Sequence, residues 1–306
     1  MKKGKYLITG CAGFIGSHLV NFLYKNFDVI LVDDLSEGSR SNLPKMLQKK
    51  LIKRRIQDLK SLNFRGIKGI FHLAAQSPVP ISVSNFYKSS TNNLSSSLKV
   101  FEIAKKFSIP IVYASSSAVY GNLSVGDDIK NNLDISSPYA QDKLSLENYA
   151  KTFFKNFNIS SVGLRFFNVY GPNQKADSPY SAVIPIFIDR MRKNAPVTIN
   201  GGYQTRDFIY IEDILNIMKL SMQLAQSKKN SIIVNVGTGR SVNINYLFKI
   251  IKKDIPNSSK IIRKKLDKFD PKKSSGKFKK FKKIFKNKII KLTKLEDGLV
   301  KTIASY

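Results

Sequence analysis

The most constraining stretch of this chain lies at its start. Lys5-Tyr6-Leu7-Ile8-Thr9 is a short apolar run, and Gly10-Cys11-Ala12-Gly13-Phe14-Ile15-Gly16 follows it. From Ser17 to Tyr24 apolar residues then recur at a helical period. The order reads as a buried parallel strand, a glycine turn and a helix. The three glycines serve different ends. The first allows the tight turn, the second lets backbone approach a pyrophosphate, and the third lets helix pack on strand. The helix amino terminus then faces an anion. A parallel strand needs a crossover to a neighbour, so the chain must go on alternating strands with helices.

It does. Asp28 to Val32 reads as a second strand that delivers Asp33 and Asp34, Leu51 to Ile56 as a third, and Gly69 to Leu73, with Ala74, Ala75 and Gln76, as a fourth. A helix over 85–107 leads to Ile111-Val112-Tyr113-Ala114 and then Ser115-Ser116-Ser117, and a helix over 139–154 leads to a strand over 162–167. The fold class expected is α/β: a Rossmann-type doubly wound parallel sheet with a smaller C-terminal α/β substrate lobe. The nucleotide domain is placed at 1–172, with a strand and helix from about 207–250 rejoining it, and the substrate lobe at 173–206 and 251–306. A carboxylate at the end of the second strand can hold both ribose hydroxyls, and two acids there repel a 2′-phosphate, so NAD is expected over NADP. His72, inside an apolar strand, reads as a packed core residue.

Composition narrows the partners. With one cysteine, Cys11, and two histidines, the chain has no intrachain disulfide and no metal-site spacing. A reducing, cytoplasmic setting is expected from that cysteine usage, and, since no apolar run approaches the ~18 residues of a membrane helix, no membrane insertion is expected. The net charge of +31 invites a polyanion. The excess is nearly all lysine, scattered through asparagine- and isoleucine-rich sequence and unaccompanied by a nucleic-acid motif, so it reads as a solvated surface with no specific nucleic-acid partner.

Tyr139-Ala140-Gln141-Asp142-Lys143 sets a phenol and an ammonium group one helical turn apart, behind Ser136-Ser137-Pro138 as a helix start. A phenol titrates near 10, so a base working near pH 7 needs about 4 kcal/mol of help, much of which a neighbouring cation can supply.

Taken in order, these motifs resemble those of the extended short-chain dehydrogenase/reductases, in particular the NAD-dependent nucleotide-sugar epimerase/dehydratase family. The resemblance runs through the glycine turn, Asp33, Asp58-Leu59, Leu73-Ala74-Ala75-Gln76, Ser115 to Gly121, Tyr139-x-x-x-Lys143, Arg165 to Pro172 and Thr205-Arg206-Asp207-Phe208. It implies bound NAD, a nucleotide-sugar substrate and a homodimer packed through two helices per subunit. It implies Ser116, Tyr139 and Lys143 as the catalytic trio. Cofactor contacts are implied at Gly10, Gly13, Phe14, Ile15, Gly16, Asp33, Asp58, Leu59, Leu73, Ala74, Ala75 and Asn93, besides Tyr139 and Lys143. Substrate contacts are implied at Gln76, Ser116, Ser117, Asn168, Arg206 and Ser274.

Within the family, 4,6-dehydratases follow the serine or threonine position with Asp-Glu, and this chain has Ser117-Ala118. The activity expected is therefore an NAD-dependent UDP-sugar 4-epimerase, with UDP-N-acetylglucosamine and UDP-N-acetylgalactosamine placed ahead of UDP-glucose and UDP-galactose. The alternatives are another nucleotide-sugar short-chain enzyme (a UDP-glucuronate epimerase, a dehydratase or a reductase) and a non-catalytic NAD-sensing or polyanion-binding Rossmann protein. The family's Arg-Pro-Gly before the aspartate at 270 is replaced by Asp267-Lys268-Phe269, so a second phosphate cation is sought in Arg263 or Lys268. Arg206 is expected at the exposed start of its strand, with an ion pair to Asp207 as its alternative.

Overall fold

The computed structural model describes residues 4–59, 64–176, 181–256, 258–266, 270–285 and 291–306. Seven strands form one sheet: β1 (Lys5–Thr9), β2 (Asp28–Asp33), β3 (Leu51–Lys53), β4 (Ile67–His72), β5 (Ile111–Ser116), β6 (Ser161–Phe166) and β7 (Ser231–Val236). Their order is β7-β6-β5-β4-β1-β2-β3. The order reverses between β1 and β4, and in open sheets of this kind a ligand crevice lies beyond the strand ends at that point. Thr9 stands level with Val32 on one side and His72 on the other, so β1, β2 and β4 end together at the crevice.

The chain divides into two compact units. The first comprises Met1–Ser116, Pro138–Arg165 and Leu215–Val234. Its core is apolar and continuous: Leu7, Val32, Ile70, Ile111 and Tyr113 of the sheet pack with Val100, Phe101 and Ala104 of the helix Phe86–Phe107 and with Leu146 and Ala150 of the helix Pro138–Phe157. The helix Ile211–Ser227 brings Met222 against Gly69, where a Cβ would come within 2.3 Å of the methionine sulfur. Glycine at 69 is thus a packing requirement. The third strand stops at Lys53, short of the expected Ile56, because at the sheet edge it pairs over only three residues of β2. Ile56–Asp58 turns into a 3-10 helix instead.

The second unit comprises Ser117–Ser137, Phe166–Ile214 and Asn235–Tyr306. It takes in residues 117–137, which the sequence assigned to the nucleotide domain, and the segment after Val234. Thr205–Tyr210 is its central strand, pairing with Ser241–Asn243, Lys273–Ser274 and Asn168–Tyr170. The helix Lys279–Phe285 buries Phe281 and Phe285 and turns Lys279, Lys282 and Lys283 to solvent. This part of the lysine-rich stretch is therefore a basic coat over an aromatic anchor. Among the described residues no helix is long and apolar enough to cross a membrane.

Candidate active site

The first unit builds a groove at the carboxyl ends of β1, β2 and β4, with Thr9, Gly10, Val32, Asp33 and Leu73 in its lining. Gly10 turns the chain with φ +68, a conformation costly to any side chain, and its N–H donates to Val32 O at 2.9 Å. A Cβ on Gly10 would lie 2.6 Å from Ala74 N, and one on Gly16 would lie 1.9 Å from Gly10 O. Gly13 begins the helix Phe14–Leu23 without a side-chain cap, which leaves first-turn amides to face an anion. Asp33 is buried and accepts from Ala12 N and Leu35 N, each at 2.8 Å. Burial pushes its carboxyl above the usual range, and the two amides oppose that shift. Asp34 instead accepts from Ser36 N and Ser36 Oγ in a local turn. The groove fits a dinucleotide: a glycine cradle that a Cβ would fill, an open helix start and a buried carboxylate at a strand end.

Other parts of the expected set fall into place differently. Leu73, Ala74 and Ala75 follow β4 and are half-buried; Ala74 and Ala75 line the groove with Leu73. Along the segment after β3 the lining residues are Arg54, Arg55, Ile56 and Gln57. Asp58 is exposed and bonded to Arg55 at 2.7 Å, while Leu59 joins the core. Asn93 is buried, its amide spent on Gln76 and Asp142. His72 is the packed residue expected: Thr9 Oγ1 lies 2.8 Å from Nδ1 and Ser97 Oγ 3.1 Å from Nε2. Burial pushes its pKa down to about 3, and the Lys143 charge adds to the shift.

The helix Pro138–Phe157 carries Tyr139, Lys143 and Glu147 at successive turns of one buried face. Its start is tied from outside the helix, by Tyr139 N donating to Ser82 Oγ at 3.2 Å. Ser116, at the end of β5, hydrogen-bonds the Tyr139 phenol. Lys143 Nζ donates to Ala114 O at 2.8 Å and lies 5.5 Å from the centre of the Tyr139 ring. Burial pushes Tyr139 up to about 12, with Ser116 lowering and Asp142 raising it. Burial also brings Lys143 down to about 8, against the carboxylates of Asp142 and Glu147. Beneath them Glu147 accepts from Ser115 Oγ at 2.6 Å and from Arg165 Nε and Nη2 at 2.7 and 2.6 Å, with both charged side chains fully buried.

The first unit thus holds a strand-end serine, a buried tyrosine and a lysine one turn on, together with a glycine cradle. Residues 6–237 match the sequence model of the NAD dependent epimerase/dehydratase family. The chain belongs to that family. It is an enzyme, and NAD is its cofactor. It is 38% identical over 257 residues to a putative UDP-glucose 4-epimerase of Methanocaldococcus jannaschii, covering 81% of this chain and 82% of that one. Among solved structures it is similar to a UDP-N-acetylglucosamine 4-epimerase of Methanobrevibacter ruminantium in complex with UDP-N-acetylmuramic acid. That likeness has 34% identity and a TM-score of 0.90, over 100% of this chain and 98% of that one. It is also similar to the UDP-glucose 4-epimerase of Thermotoga maritima with UDP-glucose, at 31% identity and a TM-score of 0.89 over 98% of each chain.

In this epimerase/dehydratase family member the second unit gathers the other expected residues on one small sheet. Arg206 and Ser274 stand directly opposite in parallel register, and Asn168 Nδ2 donates to Asp207 O at 3.0 Å. The expectation that Arg206 is exposed is corrected: it is 8% exposed, its Nη2 pairs with Asp270, and Nη1 donates to Thr205 O. Asp207 is not its partner. That carboxylate accepts from Thr238 N, Thr238 Oγ1 and Gly239 N. Ser117 opens the 3-10 turn Ser117–Tyr120. Arg263 donates to Asn245 Oδ1 at 3.1 Å, and Lys268 lies outside the described residues. Glu147, Arg165 and Asp142 were missed by sequence reasoning. The 139/143/147 spacing held a signal for Glu147, since three buried polar residues at i, i+4 and i+8 share a face.

Proposed function

We propose that the chain is a UDP-sugar 4-epimerase. Tyr139 takes the proton from the C4 hydroxyl and later returns it, Ser116 donates to the developing ketone oxygen, and Lys143 supplies the cation that favours tyrosinate. NAD, when bound, supplies a hydride acceptor and donor at the same carbon. The observation that carries this reading is the run Ser116-Ser117-Ala118 at the end of β5, which offers no carboxylate where eliminating water from the sugar would need an acid and a base. The buried acids nearest Tyr139 on its own helix are engaged as well: Asp142 by Asn93, Glu147 by Ser115 and Arg165. Oxidation, rotation of the keto sugar and re-reduction is the chemistry these residues support.

In the free protein Tyr139 sits near 12, so reaching neutrality takes about 7 kcal/mol. Lys143 and the positive ring of the oxidised cofactor are the sources of that help. For the sugar nucleotide, Arg206 suits a diphosphate through its fork of donors, with Asn168 beside it on the same sheet. The UDP part is supported by the relatives above. Ser274, small and next to Arg206, leaves room for an N-acetyl group, which favours UDP-N-acetylglucosamine and UDP-N-acetylgalactosamine over UDP-glucose and UDP-galactose. We assign cofactor binding to the first unit and sugar binding largely to the second. The homodimer is supported by apolar side chains left exposed on the helices Phe86–Phe107 and Pro138–Phe157, among them Tyr87, Leu98, Tyr149 and Phe157. The test is a panel of UDP-sugars incubated with purified protein and no added cofactor. UDP-N-acetylglucosamine should convert to its C4 epimer, and a 6-deoxy-4-keto product would overturn the reading.

A further inference from the structure

The helix that carries Tyr139 buries two carboxylates, and they are treated differently. Glu147 is answered in place by Arg165 and Ser115. Asp142, 5% exposed, forms no salt bridge among the described residues; its Oδ2 accepts from Asn93 Nδ2 at 3.0 Å. Asn93 in turn grips one residue at both backbone groups: Gln76 N donates to Asn93 Oδ1 at 2.8 Å, and Asn93 Nδ2 donates to Gln76 O at 3.4 Å. A polar line thus runs inside the first unit from beside Tyr139 to the segment that leaves β4 at the groove.

We propose that Asp142 is a positioning residue: through Asn93 it fixes the backbone of Gln76, and, buried three residues from Tyr139 on the same helix, it opposes the pull of Lys143 on the phenol. This rests on the epimerase reading, in which one phenol must both take and return a proton. A group that does both works best when its pKa is near the operating pH, not far below it. Lys143 and an oxidised ring pull the phenol down, and a buried anion one turn into the helix restrains that pull. The other ionisable groups near the pair are accounted for. His72, from β4, is held neutral; Glu147, from the same helix, is paired with Arg165 of β6; Ser116, from β5, is a hydrogen-bond partner. Asp142 is the acid that acts on both members of the pair, raising Tyr139 and, together with Glu147, Lys143.

Asp142→Asn separates charge from bond, since the amide keeps an oxygen for Asn93 and the side chain keeps its size. The experiment uses NAD-loaded protein labelled with carbon-13 at tyrosine Cζ, where the resonance missing from Tyr139→Phe identifies Tyr139 among the 13 tyrosines. In Asp142→Asn its titration midpoint should fall by about 1 unit. An unmoved midpoint overturns the charge role. In turnover, both limbs of the kcat profile should move to lower pH; a lower kcat with unmoved limbs is the mark of a merely structural residue and also overturns it. Asp142→Ala removes the bond too and should add a roughly tenfold rise in KM. An unchanged KM overturns the link to Gln76. The titration needs no sugar conversion, so wild-type protein that fails to epimerise any UDP-sugar sinks the epimerase reading while the resonance still judges Asp142.

Discussion

On the function proposed above, the glycine turn and the Arg206 sheet face the same problem, holding phosphate, with different materials. At the turn the donors are backbone amides, fixed by Gly10 at φ +68 and by contacts that a single added carbon would break. On the Arg206 sheet the donor is a side chain held by an acid 64 residues away, Asp270. Backbone sites tolerate almost no substitution and so keep the same sequence signature. Side-chain sites can exchange partners, and where the family resemblance implies Arg-Pro-Gly this chain has Asp267-Lys268-Phe269. If the proposed sites are right, the glycine cradle is the less adaptable of the two.

That contrast can be broken by mutation. Gly16→Val sets a side chain where even a Cβ would lie 1.9 Å from Gly10 O, and it should abolish bound NAD, measured as nucleotide released on denaturation. Tyr139→Phe should keep NAD and lower kcat by roughly a thousandfold or more; near-wild-type turnover would end the proposed mechanism. Glu147→Gln takes the carboxylate away from the fully buried Arg165, and it should cost about 3–5 kcal/mol of unfolding free energy in denaturant titration. Arg206→Ala should raise KM for the UDP-sugar by roughly 10–100-fold while NAD content stays constant, the signature of a site separate from the cradle. The smallest effect belongs to the pair of Asp127 with Lys277, half-exposed at 3.1 Å. Hydrogen bonds to backbone and to Lys277 lower Asp127 to about 2 from 3.8, so its contribution is present above pH 3.8 and is lost as pH falls through 2. Lys277→Gln should cost about 0.5 kcal/mol or less at pH 7 and nothing measurable near pH 2.

The same division governs what could be read from sequence. Strands β1, β4, β5 and β6 are buried over most of both faces and β2 over its last three residues, so each announces itself as an apolar run, and the helices over 86–107 and 138–157 keep their period over many turns. The strands Gly126–Asp127, Lys273–Ser274 and Gly276–Lys277 are two residues long and exist because another segment supplies a partner. Such pieces carry no period to read. Arg206 was expected to be exposed because a charge at a strand start usually is. Its burial depends on Asp270, which only tertiary structure brings near. Asp142 and Asn93 look like ordinary polar positions until the fold places them in contact. The lysines of the helix Lys279–Phe285 hid a legible signal, the i, i+4 pair of Phe281 and Phe285.

His72 has a use beyond packing. Its ring is wedged between Thr9, where the glycine turn leaves the sheet, and Ser97, one turn along the helix from Asn93. It stays neutral across the working pH range, and only one other histidine, His18, shares the chain. The protein therefore contains its own spectroscopic probe. In a two-line imidazole spectrum the His72 line would report, from inside, on the sheet just behind the glycine turn, without any label or substitution.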